Sequence, residues 1–175
     1  MFRVACYLAK SLPDRVGLHS ALLPKRVFGE EIVVRAIFSP YHVSSNGEKL
    51  KPKAFAPSPE TDEISIMRKS FLGHDQCKRK AHELESPEHH KVYRGFAVMY
   101  VYKIRSLGCQ VVDSRDEFLG HADIRTGIAC PPRGIPMEPE MRAKSDSISA
   151  NLLKISEYIM DSRPILSRRI GQETP

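Results

Sequence analysis

Residues 129–136 carry Pro131, Pro132, Gly134 and Pro136, and a run with so many fixed φ angles and missing amide donors suits neither helix nor strand. This linker separates a part of the chain rich in strand signals from a C-terminal part with helical spacing. Pro139 stands at a first-turn position and opens a helix that the pattern carries to about residue 162. Met141, Ile148, Leu152, Ile155 and Ile159 fall on one stripe of it, an apolar face that either covers a sheet or meets a partner protein.

Before the linker, residues 31–38 make the clearest strand, rich in β-branched side chains and closed by Ser39 and Pro40. Asn46 and Gly47 then signal a tight turn. Residues 49–55 read as extended, with Pro52 confining them to an edge or an irregular segment. A loop at 56–62 leads to a short strand at 63–68. Residues 74–85 read as a polar helix with Cys77, Ala81 and Leu84 at i, i+4 and i+7. Residues 92–104 alternate at Phe96, Val98, Tyr100, Tyr102 and Ile104, yet run into Leu107 and Gly108, which resemble a helix C-terminus. One long strand, or a strand breaking into a helix, is expected there. Further strands are expected at 109–113 and 118–124.

These segments predict a single α+β domain over residues 1–162, with residues 1–25 ambiguous and a basic tail at 163–175. Its sheet should be mainly antiparallel, with about four to six strands, one internal helix and a long C-terminal helix. At 175 residues, with 41% hydrophobic and 27% charged, the chain can bury a core and lacks the composition of a disordered protein. No window approaches the ~18 consecutive apolar residues of a membrane span. Cys6, Cys77, Cys109 and Cys130 are scattered without a Cys-x-x-Cys pair, so each reads as a small buried hydrophobe in a reducing compartment. The apolar N-terminal stretch is interrupted by Arg3 and stopped by Lys10, which is short for a secretory signal. A cytoplasmic location is the resulting expectation.

The net charge is +6, and it is unevenly spread. Residues 1–60 hold nine basic and five acidic side chains, residues 61–110 nine and six, and residues 111–175 nine and ten. The surplus belongs to the first two-thirds and makes nucleic acid the first acidic partner to consider. Lys49, Lys51 and Lys53 would share one face of an extended segment, and Lys78, Arg79 and Lys80 sit on the polar helix. Together they could line a phosphate backbone, although Lys on a free edge also blocks unwanted strand pairing. No recognition-helix, RNA-recognition-strand or zinc-finger signature accompanies them.

Two constellations could carry chemistry. In an extended 121–124 segment, His121 and Asp123 project from one face while Ala122 and Ile124 face the core. An imidazole beside a carboxylate is held in one tautomer and suits acid–base work. Arg35 lies inside an apolar strand on the face of Val33 and Ile37, and His42 follows just past the strand end. Arg68 closes the 63–68 strand in a similar setting. Each guanidinium could grip a phosphate, or pair with an acidic side chain across the sheet. If His42 and His121 converged near either arginine, the site would suit phosphodiester chemistry, with one His as base and the other as acid. His74, Cys77 and His82 do not share one helical arc, so no metal site is expected from them, and no cofactor motif is present. Phosphate-loop, serine-elbow and zinc-helix motifs are absent from the sequence.

Two functions follow as expectations. The first is a small intracellular binding module, a subunit of a larger complex, with a basic front for a polyanion and the stripe of Ile148, Leu152, Ile155 and Ile159 for a protein partner. The second is a small nuclease or nucleotide-acting transferase built on His121, Asp123, His42 and the two arginines.

Overall fold

The computed structural model describes residues 23–161. The ambiguous N-terminal stretch up to residue 22, Cys6 within it, and the expected basic tail at 163–175 lie outside the described residues. Along the chain come β1 (Ile32–Ser39), β2 (Glu63–Met67), α1 (Lys69–Glu83), β3 (Val92–Tyr100), α2 (Val101–Ser106), β4 (Gln110–Asp113), β5 (His121–Arg125), α3 (Pro139–Ile155) and β6 (Glu157–Met160). The strands form one sheet in the order β4-β5-β2-β1-β3-β6, every neighbouring pair antiparallel. This is the expected α+β architecture.

Strand alternation divides the interior between the two sheet faces. Val33 and Ile37 of β1 join Ile64, Ile66, Ala97, Met99, Ala122 and Ile124 under Leu152 of α3, with Ala54 and Phe55 closing one side. Val34, Ala36 and Phe38 point the other way and pack with Met67, Tyr93 and Phe96 against Cys77 and Ala81 of α1. Residues 92–104 take the second of their two expected forms. β3 ends at Tyr100, α2 begins at Val101, and Gly108 follows at φ +81°.

Three segments depart from expectation. Residues 49–55 are not extended, because Pro52 opens a 3₁₀ turn, Pro52–Phe55, that buries Ala54 and Phe55. Leu84 does not share the buried face of Cys77 and Ala81, because the helix has already ended at Glu83. Within α1 the backbone breaks at Gly73 (φ +74°), so its regular part begins at His74. The C-terminal helix stops at Ile155 rather than near 162, and residues 157–160 return to the sheet as β6 beside β3. Ile155 and Ile159 keep helical spacing, which hid this change. It is permitted by Gly95 of β3, where a β-carbon would come within 2.1 Å of the Ile159 carbonyl oxygen.

Between β2 and α1 sits Arg68, fully buried. Its Nε and Nη2 donate to the two oxygens of Glu31 at 2.8 Å each, and Nη1 donates to Asp113 Oδ2 at 2.6 Å. The remaining donors reach the carbonyls of Pro24 at 2.6 Å and Arg26 at 3.2 Å. All five guanidinium donors are thereby used, and Phe71 stacks on the group with its ring centroid 4.7 Å away. Burial alone would raise the Asp113 pKa, but hydrogen bonds from Arg115 and Arg68, and their charges, outweigh it and hold the carboxyl below its ordinary value.

Arg68→Met removes the cation, strands the buried Glu31 carboxylate and leaves Asp113 to Arg115 alone. It should destabilise the fold by about 3–5 kcal/mol, read as a lower midpoint in urea unfolding. An unchanged midpoint would mean that this cluster does not support the fold.

Candidate functional site: a basic cleft at a split in the sheet

β1 pairs with β3 from Ile32 to Ser39, and β2 pairs with β5 from Glu63 to Met67. β1 and β2 themselves register only at Val34 opposite Met67. Past that pair the two strands part, which leaves backbone groups that need other partners. Side chains supply them. Arg35 reaches across the gap, its Nε donating to the Ala54 carbonyl and its Nη1 to the Ser65 carbonyl of β2 at 2.8 Å. A tight turn, with the His42 amide donating to the Phe38 carbonyl at 2.8 Å, folds His42 back on β1. There its Nδ1 accepts the Phe38 amide proton at 3.2 Å.

The gap opens into a cleft of about 750 Å³ between these strands, the end of α1 and the loop before β5. Arg35, His42 and His121 all line it, so the two histidines and one of the two strand arginines border the same cleft, a condition that the sequence could pose but not decide. Lys80, Lys91 and Arg133 add three cations, against the carboxylates of Glu83 and Glu117. Lys91 stands 4.5 Å from the Phe38 ring centroid and Lys80 5.4 Å from that of Phe118, so the walls carry aromatic rings with cations beside them. Lys80 also pairs with Glu83 at 2.7 Å.

The titrating groups differ in character. Burial lowers the Arg35 pKa to about 10, with the charge of Asp123 opposing, and the group stays cationic at neutral pH. Burial, then the charges of Arg35, Lys91 and Lys53, push His42 down to about 3 against a weak pull from the Ala36 backbone. His42 is therefore a neutral ring tied to strand backbone. His121 is held differently. Ser114 Oγ donates to Asp123 Oδ2 at 2.5 Å, so its 2.9 Å contact with His121 Nδ1 is a bond it accepts from the ring N–H. Nδ1 is thereby a donor, and Nε2 lies next to Glu117 Oε2, at 3.4 Å, on the cleft side. His121 and Asp123 are both buried on the face opposite Ala122 and Ile124, as strand alternation required.

Other sequence candidates lie elsewhere. Arg68 has no donor left for an anion. Lys78 pairs with Asp161 at 2.8 Å, and Arg79 is exposed on α1. Lys49, Lys51 and Lys53 are exposed, but the 3₁₀ turn places Lys53 on a different backbone course from the other two, so they do not alternate along one strand face. Leu152 is fully buried and Ile148 and Ile155 pack on the chain's own core, while Ile159 is exposed on β6. His74 and His82 pack against Phe96 and Tyr93. No group of three potential ligands that could hold a metal stands together among the described residues. Ser114, Glu117, Lys91 and Arg133 escaped the sequence reading because each sits in a loop or at a strand margin without periodic context. No protein-family model matches the chain, and searches of curated proteins and of solved structures return no match.

A pH dependence follows from His42. Its folded pKa lies below the ~6.5 of an unfolded chain, so its contribution to stability is fully present above about pH 6.5 and drains away as pH falls toward 3. The melting-temperature advantage of the wild type over His42→Gln should therefore shrink between pH 7 and pH 4. An advantage that is flat or grows on acidification would overturn the assignment.

Proposed function

We propose that this chain is a cytoplasmic accessory binding module that holds a polyanion, nucleic acid first, by its phosphates in the cleft between β1 and β2. The observation that carries the reading is the arrival of Arg35, Lys80, Lys91 and Arg133 at one cleft from four separate parts of the chain. Arg35 has committed two donors to carbonyls, which leaves further N–H groups on a side chain that lines the cleft. The free thiols of Cys77 and Cys109, both buried, suit a reducing compartment; burial pushes the Cys77 thiol up to about 12. No helix among the described residues is long and apolar enough to cross a membrane. A protein partner on α3 is not part of the proposal, since most of its apolar stripe serves the core.

Lys91→Gln and Arg133→Gln leave the strand framework intact and test the reading directly. Each should weaken binding to an oligonucleotide and lower the slope of log affinity against log salt by about one unit, measured by anisotropy titration. Binding that ignores both substitutions would rule out the cleft as the anion site.

One observation favours a second reading, a phosphodiester-cleaving enzyme. The Ser114–Asp123 pair fixes His121 with Nε2 toward the cleft and beside Glu117, an imidazole–carboxylate pair placed to exchange a proton with water or a hydroxyl. His42, neutral and bound to β1, cannot supply the matching acid, so that role would fall to a cleft lysine. Under this reading, His121→Gln abolishes cleavage of a labelled oligonucleotide while its binding persists. Absence of cleavage by the wild type eliminates it.

A further inference from the structure

A second surface, separate from the cleft, combines rings and cations. Residues 28–31 run beside the β3–α2 junction, where the Tyr102 amide donates to the Gly29 carbonyl at 2.9 Å and the Val101 amide to the Glu31 carbonyl at 3.1 Å. This pairing sets Phe28, Tyr100 and Tyr102 at one edge of the molecule, all exposed, Tyr102 to 54%. The Tyr100 and Tyr102 ring centroids are 5.7 Å apart and their planes differ by 39°. Lys103 lies 5.7 Å from the Tyr100 centroid and Arg26 5.7 Å from that of Phe28, with Arg105 exposed on the same short helix. Glu30 is the exposed carboxylate of this stretch, while Glu31 is buried on Arg68.

Three large rings with roughly half of their surface in water beside cations are poorly explained by stability, since the exposed part gains nothing from folding. They match what unpaired bases require. Each base has a π-face to lay on a ring, and each phosphate needs a nearby cation; both are sequence-independent. A duplex hides its base faces, and a purely electrostatic ligand has no use for the rings. We infer that Phe28, Tyr100 and Tyr102 form a stacking platform for unpaired bases of single-stranded nucleic acid, with Arg26, Lys103 and Arg105 against its backbone. The inference stands on residues that take no part in the cleft.

The full chain would be titrated by anisotropy against a labelled oligothymidylate, a duplex of equal length and heparin. Tyr100→Ala and Tyr102→Ala should each weaken oligothymidylate binding by about 5- to 150-fold while leaving heparin binding unchanged, and Tyr102→Phe should restore it. In a Lys91→Gln/Arg133→Gln background the same factor should be lost on Tyr102→Ala, so failure of the cleft and failure of the platform are separable. Equal loss for all three ligands, equal affinity for duplex and single strand, or no effect of the alanine variants would each overturn the platform. Concentration-dependent self-association that disappears with Tyr102→Ala, without oligonucleotide binding, would assign the surface to a protein contact and overturn it as well.

Discussion

The fold depends on one buried guanidinium. A charge out of water is tolerable only when every donor finds an acceptor. At Arg68 all five do: one carboxylate precedes β1, another ends β4, and two carbonyls belong to the segment that enters the sheet. These partners are far apart in sequence, so satisfying the group requires the entry segment, β2 and β4 to be in place together. The same cluster lies next to the single register pair of Val34 and Met67. The sheet is thus pinned at that end, and the divergence of β1 from β2 happens at the other.

That divergence creates the polar requirements from which the cleft is built. In a continuous ladder, β1 and β2 would satisfy one another and leave no room. Here Arg35 and His42 take over part of the task with side chains, and a charged group and a ring are thereby drawn into the sheet itself. Burial first, and the nearby charge of Arg35 second, keep the ring neutral. Lys80, Lys91 and Arg133 come from a helix, a strand margin and the proline-rich linker, so the cleft's charge is assembled by topology rather than by any local run of basic residues.

The legible part of this protein was what local pattern controls. The β-branched run in β1, the alternation around His121 and Asp123, and the polar helix before Ser86 each follow from a short stretch of sequence. So did the expectation that Arg35, inside an apolar strand, must find partners, although these proved to be carbonyls and not acids. The illegible part was set by partners distant in the chain. Ile159 keeps the spacing of the helix before it, and only Gly95, sixty-odd residues upstream, explains why the backbone there is a strand. Ser114 gives no sign of its role until β4 and β5 pair and bring it between His121 and Asp123. The alternating lysines at 49–53 misled because Pro52 acts on the backbone more strongly than a period-two pattern of exposed side chains.

The six strands are best regarded as two half-sheets, β4-β5-β2 and β1-β3-β6, each with a complete internal ladder. What joins them is a seam of one register pair plus side-chain bonds, with packing above and below. Such a seam yields to sliding more readily than a ladder of main-chain bonds does. A molecule seated across it would act as a staple between the halves. The width of the cleft is then set by how far the two half-sheets are drawn together.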